Sequence, residues 1–230
     1  MKLGKISDSD KRRRYDDACA ATHSMDIIGE RWAIPVMREL MLGPRRFGEL
    51  KACINGISAN VLTQRLEGLE AAGVLRKHRL PPPASVQVYE LTPWGYEAGP
   101  IFQAMGRWAV KSPHHDPSRP FSPVSLMLSF RTMLDAGRAQ DFTGRLAFVI
   151  GEDRFVMAID HGAATLGRGD DSAADAVFTG STSAIAAAAY GGASLEALEE
   201  EGALSLQGDR ALAERFLTLF PLPAKAPLAS

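Results

Sequence analysis

The sequence predicts an α+β fold in two domains, and three observations carry that expectation. The stretch from Pro44 to Thr92 switches from helical to strand periodicity within one short segment. The second half places strand-like hairpins ahead of a group of helices, an order that suits an α+β layer better than a doubly wound sheet. Charge divides between the halves: residues 1–115 hold 17 Lys and Arg against 12 Asp and Glu, and the remainder holds 9 against 15. The first part is thus net positive and the second net negative, although the whole chain is at −1, so one half is suited to a polyanion. A length of 230 residues fits two domains of about 100 residues each. The boundaries expected are a polar arm over 1–18, a first domain over 19–110, a linker over 111–123, a second domain over 124–222 and a tail over 223–230.

The arm ends in Lys11-Arg12-Arg13-Arg14, which suits either a phosphate contact or a frayed terminus. A helix is expected from about Asp17 to Glu30, with Ala20 or Ala21, Met25, Ile27 and Ile28 available for burial. Cys19 lies at its start, where a helix N-terminus lowers a thiol pKa; a bystander thiol fits the position as well. Trp32 to Leu42 supplies the next helix, with Trp32, Val36, Leu40 and Met37 inward, ended by Gly43-Pro44. Cys53 reads as small core filling.

From Pro44 onward a short helix shows Phe47, Leu50 and Ile54 inward, with Arg45 and Arg46 at its positive end. After the Gly56-Ile57 turn, Ser58 is a good N-cap for a helix running to about Ala72. Leu62, Leu66 and Leu69 form its buried stripe, with Asn60, Gln64, Glu67 and Ala71 opposite and Thr63 on the shoulder. Asn and Gln match the donor and acceptor edge of adenine in a major groove, and here they stand one turn apart near the helix N-terminus. Polar residues on any amphipathic helix also simply face water. The neighbourhood favours the first reading, because Arg76, Lys77, His78 and Arg79 follow on a strand. Pro81-Pro82-Pro83-Ala84-Ser85 then makes a stiff tip, and Val86, Val88 and Leu91 return. Helix, turn, helix and a basic two-stranded ribbon describe a winged helix-turn-helix, the wing tracking the backbone or the minor groove of duplex DNA. Base contacts are expected from Asn60, Thr63 and Gln64. Phosphate and wing contacts are expected from Arg45, Arg46, Ser58, Arg65, Arg76, Lys77 and Arg79.

Thr92-Pro93 marks a further helix start. Trp94, Ala98, Ile101, Phe102, Met105, Trp108 and Ala109 share one broad face of that helix, and Gly99-Pro100 should kink it. The face is too aromatic for one small domain to cover. Ile101, Phe102, Met105 and Trp108 are therefore expected at a homodimer interface, the alternative being cover by the second domain.

Taken together, these residues resemble the HxlR-type winged-helix transcriptional regulators of bacteria over about residues 19–110. The matching pieces are Arg31-Trp32, RRFGEL (Arg45 to Leu50), GIS and LTQRL (Gly56 to Ser58, Leu62 to Leu66), the Gly73 helix stop and YELTPWG (Tyr89 to Gly95). The resemblance implies dimers on two-fold DNA half-sites, and it implies that Cys19 is a candidate redox sensor, since some members sense oxidants or electrophiles through an N-terminal cysteine. One departure is Glu67-Gly68, where such proteins tend to carry an Arg. Gly68 costs about 1 kcal/mol of helix propensity relative to Ala, and Glu67 repels phosphate, so the C-terminal half of the helix should stand off DNA.

In the second half, KSPHHDPSRPFSP holds four of the 14 prolines and no periodicity, as a linker would. A helix is expected from Val124 to about Ala139, with Leu126, Leu128, Phe130, Met133 and Leu134 apolar. Strands are expected at Arg145–Ile150, Phe155–Asp160, Ala176–Thr179 and Ala203–Leu206, and Gly167-Arg168-Gly169 reads as a turn. Helices are expected at Ser181–Tyr190 and Ser194–Glu199, and Gly208-Asp209 caps a last one with Leu212, Phe216, Leu219 and Phe220 on one side. The segments DAVFTGSTSAIAAAAYG and GALSLQGDRALAERFLTLF resemble the sterol carrier protein type 2 fold, over roughly 125–222. That resemblance implies a sheet covered by helices, often with an apolar tunnel. Phe130, Phe148, Ile150, Val156, Phe178, Ile185 and Phe216 are then candidate lining for a small hydrophobic effector, or plain core.

No Walker A sequence or GxSxG elbow is present, so an enzyme is not expected, and neither is a cofactor. The two cysteines lack metal-ligand spacing, and His114-His115-Asp116 lacks metal-site geometry. No run is apolar enough for a membrane span and no signal peptide pattern opens the chain, so a cytoplasmic protein is expected. The reading reached is a dimeric, sequence-specific DNA-binding transcriptional regulator. The alternative is a lipid-type ligand carrier whose winged helix serves protein interaction.

Overall fold

Local turn chemistry and apolar spacing set the elements found in the computed structural model, which describes residues 15–228. The basic run Lys11 to Arg14 lies outside the described residues. Contacts divide the chain into two units between Tyr96 and Glu97. The sequence pattern predicts that boundary later, near residue 110.

The first unit contains α1 (Ala20–Ile28), α2 (Ala33–Leu40), α3 (Phe47–Cys53), α4 (Ala59–Ala71), the antiparallel ribbon of β1 (Leu75–Arg79) and β2 (Gln87–Leu91), and the single turn α5 (Pro93–Tyr96). Helix α1 is shorter than expected. Its Ile28 is buried and Ile27 half-buried, but Ala20, Ala21 and Met25 stay exposed. Trp32 precedes α2 as its cap and is half-buried, with the Arg31 guanidinium 5.1 Å over its ring. The core joins Val36, Met37 and Leu40 of α2 to Leu50 of α3, to Leu62, Leu66 and Leu69 of α4, and to Leu75, Val88 and Leu91 of the ribbon.

Two glycines explain how the helix and ribbon are joined. Helix α4 stops at Gly73, whose φ of +77° is open to glycine at little cost. The Gly73 N–H donates to the Glu70 carbonyl and the Val74 N–H to that of Leu69, each at 2.9 Å, so Val74 closes onto Leu69 as in a Schellman end. At Gly95 a Cβ would stand 2.1 Å from the Val74 carbonyl oxygen, so the α5 turn lies directly against backbone. Thr92 completes the joint: its hydroxyl donates to the Gly73 carbonyl at 2.8 Å and accepts from the Gly95 N–H at 3.1 Å. The YELTPWG run is therefore a structural joint between the ribbon and α4.

The second unit comprises α6 (Gly99–Ala109), α7 (Pro123–Met133), β3 (Thr143–Ile150), β4 (Asp153–Asp160), β5 (Ala163–Arg168), β6 (Ala176–Gly180), α8 (Thr182–Tyr190), α9 (Leu195–Glu200), β7 (Leu204–Gly208) and α10 (Arg210–Leu217). Its sheet runs β5-β4-β3-β6-β7, with β3 and β6 parallel and the other neighbours antiparallel. Several expectations are corrected. Helix α6 begins at Gly99, and Pro100 sits in its first turn, where a missing N–H costs nothing; the break thus falls at Glu97-Ala98 rather than as a kink at Gly99-Pro100. Helix α7 ends at Met133 rather than near Ala139, because the Asp135 N–H turns away to the Leu219 carbonyl at 2.9 Å. Gly167 and Arg168 finish an unexpected strand, β5, which pairs with β4 through Phe155 and Arg168. Leu219 and Phe220 are buried beyond the end of α10.

The Pro-rich segment after α6 is largely exposed, but the tail folds back on it. Lys225 Nζ donates to the carbonyls of Val110, Ser112 and His115 at 3.0, 3.1 and 3.4 Å, and the Ala226 N–H donates to the Lys111 carbonyl at 2.7 Å.

Candidate nucleic-acid interface

Helix α4 is fixed on one side and free on the other. Leu62, Leu66 and Leu69 are at most 2% exposed, whereas Asn60, Thr63, Gln64 and Glu67 are exposed. The Ser58 hydroxyl accepts from the Val61 N–H at 3.3 Å, which caps the helix. The Thr63 hydroxyl donates to the Ala59 carbonyl at 3.0 Å, so its methyl group is what the rim presents. Asn60 and Gln64 therefore offer amide donors and acceptors side by side, with Thr63 on the shoulder, near the positive end of the helix.

The cations around this rim are not equivalent. Arg46 is exposed and precedes α3, whose Glu49 carboxylate accepts from the Arg46 N–H at 2.7 Å. Lys77 and Arg79 are exposed on β1; Lys77 lies 6.0 Å over the Tyr89 ring and Arg79 donates to the Ser85 carbonyl at 3.4 Å. Arg45 is a correction, since it is only 8% exposed. Its backbone forms a two-way bridge with Tyr89, 3.0 and 2.8 Å long, which ties the entrance of α3 to the wing. Arg65 is half-buried and pairs with Glu30 at 2.9 Å. Arg76 pairs across the ribbon with Glu90 at 2.6 Å, and His78 reaches the same carboxylate at 3.0 Å. Arg65 and Arg76 thus spend their charge inside the unit. Sequence reasoning missed these partners because they lie 35 and 14 residues away.

Cys19 is exposed and caps α1. Hydrogen bonding to the Thr22 and Ala21 backbone at the start of α1 lowers the Cys19 thiol pKa from its ordinary value. Cys53 is half-buried on α3. On α6, Ile101 and Trp108 are 51% and 79% exposed and Met105 is exposed with them, while Phe102 is half-buried.

The residues expected to line an effector pocket lie mostly within one aromatic cluster. Phe130, Phe148, Phe178 and Phe216 are fully buried against one another, with ring centroids 5.4 to 6.1 Å apart, and Phe220 adds contacts at 4.7 and 4.8 Å. These rings themselves fill the layer between sheet and helices. Ile150 shares the Phe148 side of β3 by alternation, and Ile185 is buried on α8. Val156 follows Phe155, the partner of Phe148, and so points to the opposite face of the sheet. Six of the seven residues therefore lie on or against one face of the sheet, and Val156 lies on the other.

Among the described residues, no helix is long and apolar enough to cross a membrane. Among them too, no group of three or more His, Cys, Asp or Glu is gathered for a metal ion.

Comparison with known proteins agrees with both halves of this architecture. Residues 27–116 match the model of the HxlR-like helix-turn-helix family, and residues 128–221 match that of the SCP-2 sterol transfer family. YvaP of Bacillus subtilis strain 168, named an uncharacterized HTH-type transcriptional regulator, is 32% identical over 88 residues, which is 38% of this chain and 82% of that protein. The HTH-type transcriptional regulator YodB of the same organism is 34% identical over 86 residues, 37% of this chain and 77% of that protein. The solved reduced form of YodB aligns at 31% identity and a TM-score of 0.39, covering 44% of this chain and 100% of that one. The chain therefore belongs to the HxlR-like helix-turn-helix family of transcriptional regulators, and its residues 128–221 match the model of the SCP-2 sterol transfer family.

Proposed function

We propose that the protein is a dimeric, sequence-specific DNA-binding regulator of transcription whose second domain adjusts its activity in response to a small molecule. The observation that carries this reading is the exposed rim of Asn60, Thr63 and Gln64 on a helix whose opposite side is locked by leucines. Asn60 and Gln64 contact base edges, and the Thr63 methyl suits a thymine methyl. Arg46, Ser58, Lys77 and Arg79 hold phosphates. The exposed stripe of Ile101, Met105 and Trp108, flanked by Phe102, joins two copies, because a monomer gains nothing by leaving such side chains in water. The SCP-2 match supports a ligand-binding second domain; its ligand acts only through unequal affinity for DNA-competent and DNA-incompetent dimers.

Fluorescence anisotropy with the DNA flanking the gene, across a salt series, tests the reading. Log affinity should fall with log salt by about 0.9 per neutralised phosphate, with several phosphates counted. A flat salt response with no sequence preference would favour a lipid-type carrier whose winged helix binds protein.

The exposed, N-capping position of Cys19 and its depressed thiol pKa favour one addition: this thiol reacts with oxidants or electrophiles.

A further inference from the structure

The second unit contains a cleft that the aromatic core does not fill. It measures about 310 Å³ and lies where the C-terminal ends of α6 and α7 meet the segment after α10. Arg107 and Lys111 line one side, Met133 and Leu134 another, and Pro221 closes it together with Pro223. Three segments far apart in sequence thus build one concavity, at the lower end of the size range of small-molecule sites.

Its chemistry is amphipathic. Arg107 lines the cleft and donates Nη1 to the Thr132 carbonyl at 3.0 Å, which uses one of its five N–H groups. Lys111 is exposed beside it, its backbone carbonyl held by the Ala226 N–H. Asp135 also lines the cleft, but its Oδ1 already accepts from the Arg138 N–H at 2.9 Å. Two cations against one engaged carboxylate suit a single negative charge. The same carboxylate disfavours a dianion such as phosphate. The Met, Leu and Pro walls then require an apolar body behind the charged group.

We infer that this cleft binds a small monocarboxylate with an apolar body, its carboxylate paired with Arg107 and Lys111 and its tail against Met133, Leu134 and Pro221. The site names the ligand class for the second domain proposed above, but its occupancy does not depend on whether the winged helix binds DNA. Bound ligand would clamp α6, which carries the exposed stripe, to α7 and to the tail that Lys225 straps down.

Isothermal titration of the full chain with octanoate tests the assignment, with octan-1-ol and inorganic phosphate as the two comparison probes. Saturable octanoate binding is expected, with neither comparison probe binding measurably. Lys111→Gln should weaken it about tenfold, the loss of one charge-assisted contact. Arg107→Gln should weaken it at least as much, and Leu134→Trp should abolish it by filling the cleft. Circular dichroism confirms that each variant remains folded. Octanoate binding that all three folded variants retain, equal binding of octan-1-ol or phosphate, or no octanoate binding at all would overturn the assignment. Operator binding measured on the same samples shows separately whether the DNA reading stands.

Discussion

Asn60 and Gln64 stand one helical turn apart on the exposed face of α4, and the Arg46 side chain at the start of α3 is exposed as well. These two kinds of residue should fail differently when removed. Arg46→Ala is expected to weaken binding to all DNA sequences alike and to reduce the salt slope by about 1, measured by anisotropy on specific and scrambled duplexes. Arg65→Ala should leave that slope unchanged, since its charge already goes to Glu30. Cys19 carries a prediction of pH dependence. Hydrogen bonding to the backbone at the start of α1 favours the thiolate, so the folded pKa lies below that of an ordinary thiol and the reactive form persists to lower pH. In a Cys53→Ser background, alkylation by iodoacetamide should reach its plateau at a lower pH than alkylation of glutathione does. Coincident profiles would show that the helix start has no influence. The sequence displays the rim residues, because apolar spacing says which side of a helix is outside. It does not display which arginines are already paired, because Glu30 and Glu90 reach Arg65 and Arg76 only after folding.

Helix α4 shows how far local signals reach. Ser58, the leucine stripe and Gly73 place its ends within a residue or two, because cap, periodicity and left-handed stop agree. Gly68 lies in its interior with nothing within 4 Å of where a Cβ would sit. Gly68→Ala should therefore stabilise the winged-helix unit by about 1 kcal/mol in urea unfolding, and a loss of stability would mean that this glycine serves a contact not visible in the chain alone. Where local signals conflict, tertiary contacts decide. AATLGR lacks the β-branched alternation of a strand, yet its backbone continues the sheet at the edge of β4. The segment after Met133 looks helical until the Leu219 carbonyl takes the Asp135 N–H. The apolar pattern marks Phe130, Phe148, Phe178 and Phe216 as buried, and they are, but pattern alone does not say whether facing rings enclose space or fill it.

At the scale of the molecule, two sequence families are joined in one chain, and the opposite net charges of its two halves are legible in the residue counts alone. The contact division between Tyr96 and Glu97 falls earlier than the expected linker, because α6 packs against α7 through Gly106 and Arg107. That packing leaves Ile101, Met105 and Trp108 outward. Trp108→Glu should shift the protein to monomer at concentrations where the wild type sediments as a dimer, and it should weaken binding to two-half-site DNA far more than to a single half-site. An unchanged sedimentation profile would place the dimer contact elsewhere. The central claim, that the exposed face of α4 reads bases, is tested most directly by selecting bound duplexes from a random pool with the wild type, Asn60→Ala and Gln64→Ala. The account predicts a two-fold-symmetric preferred site in the wild type, with each variant losing about 1 to 3 kcal/mol of discrimination at its own base position. An identical preference in all three proteins would contradict it.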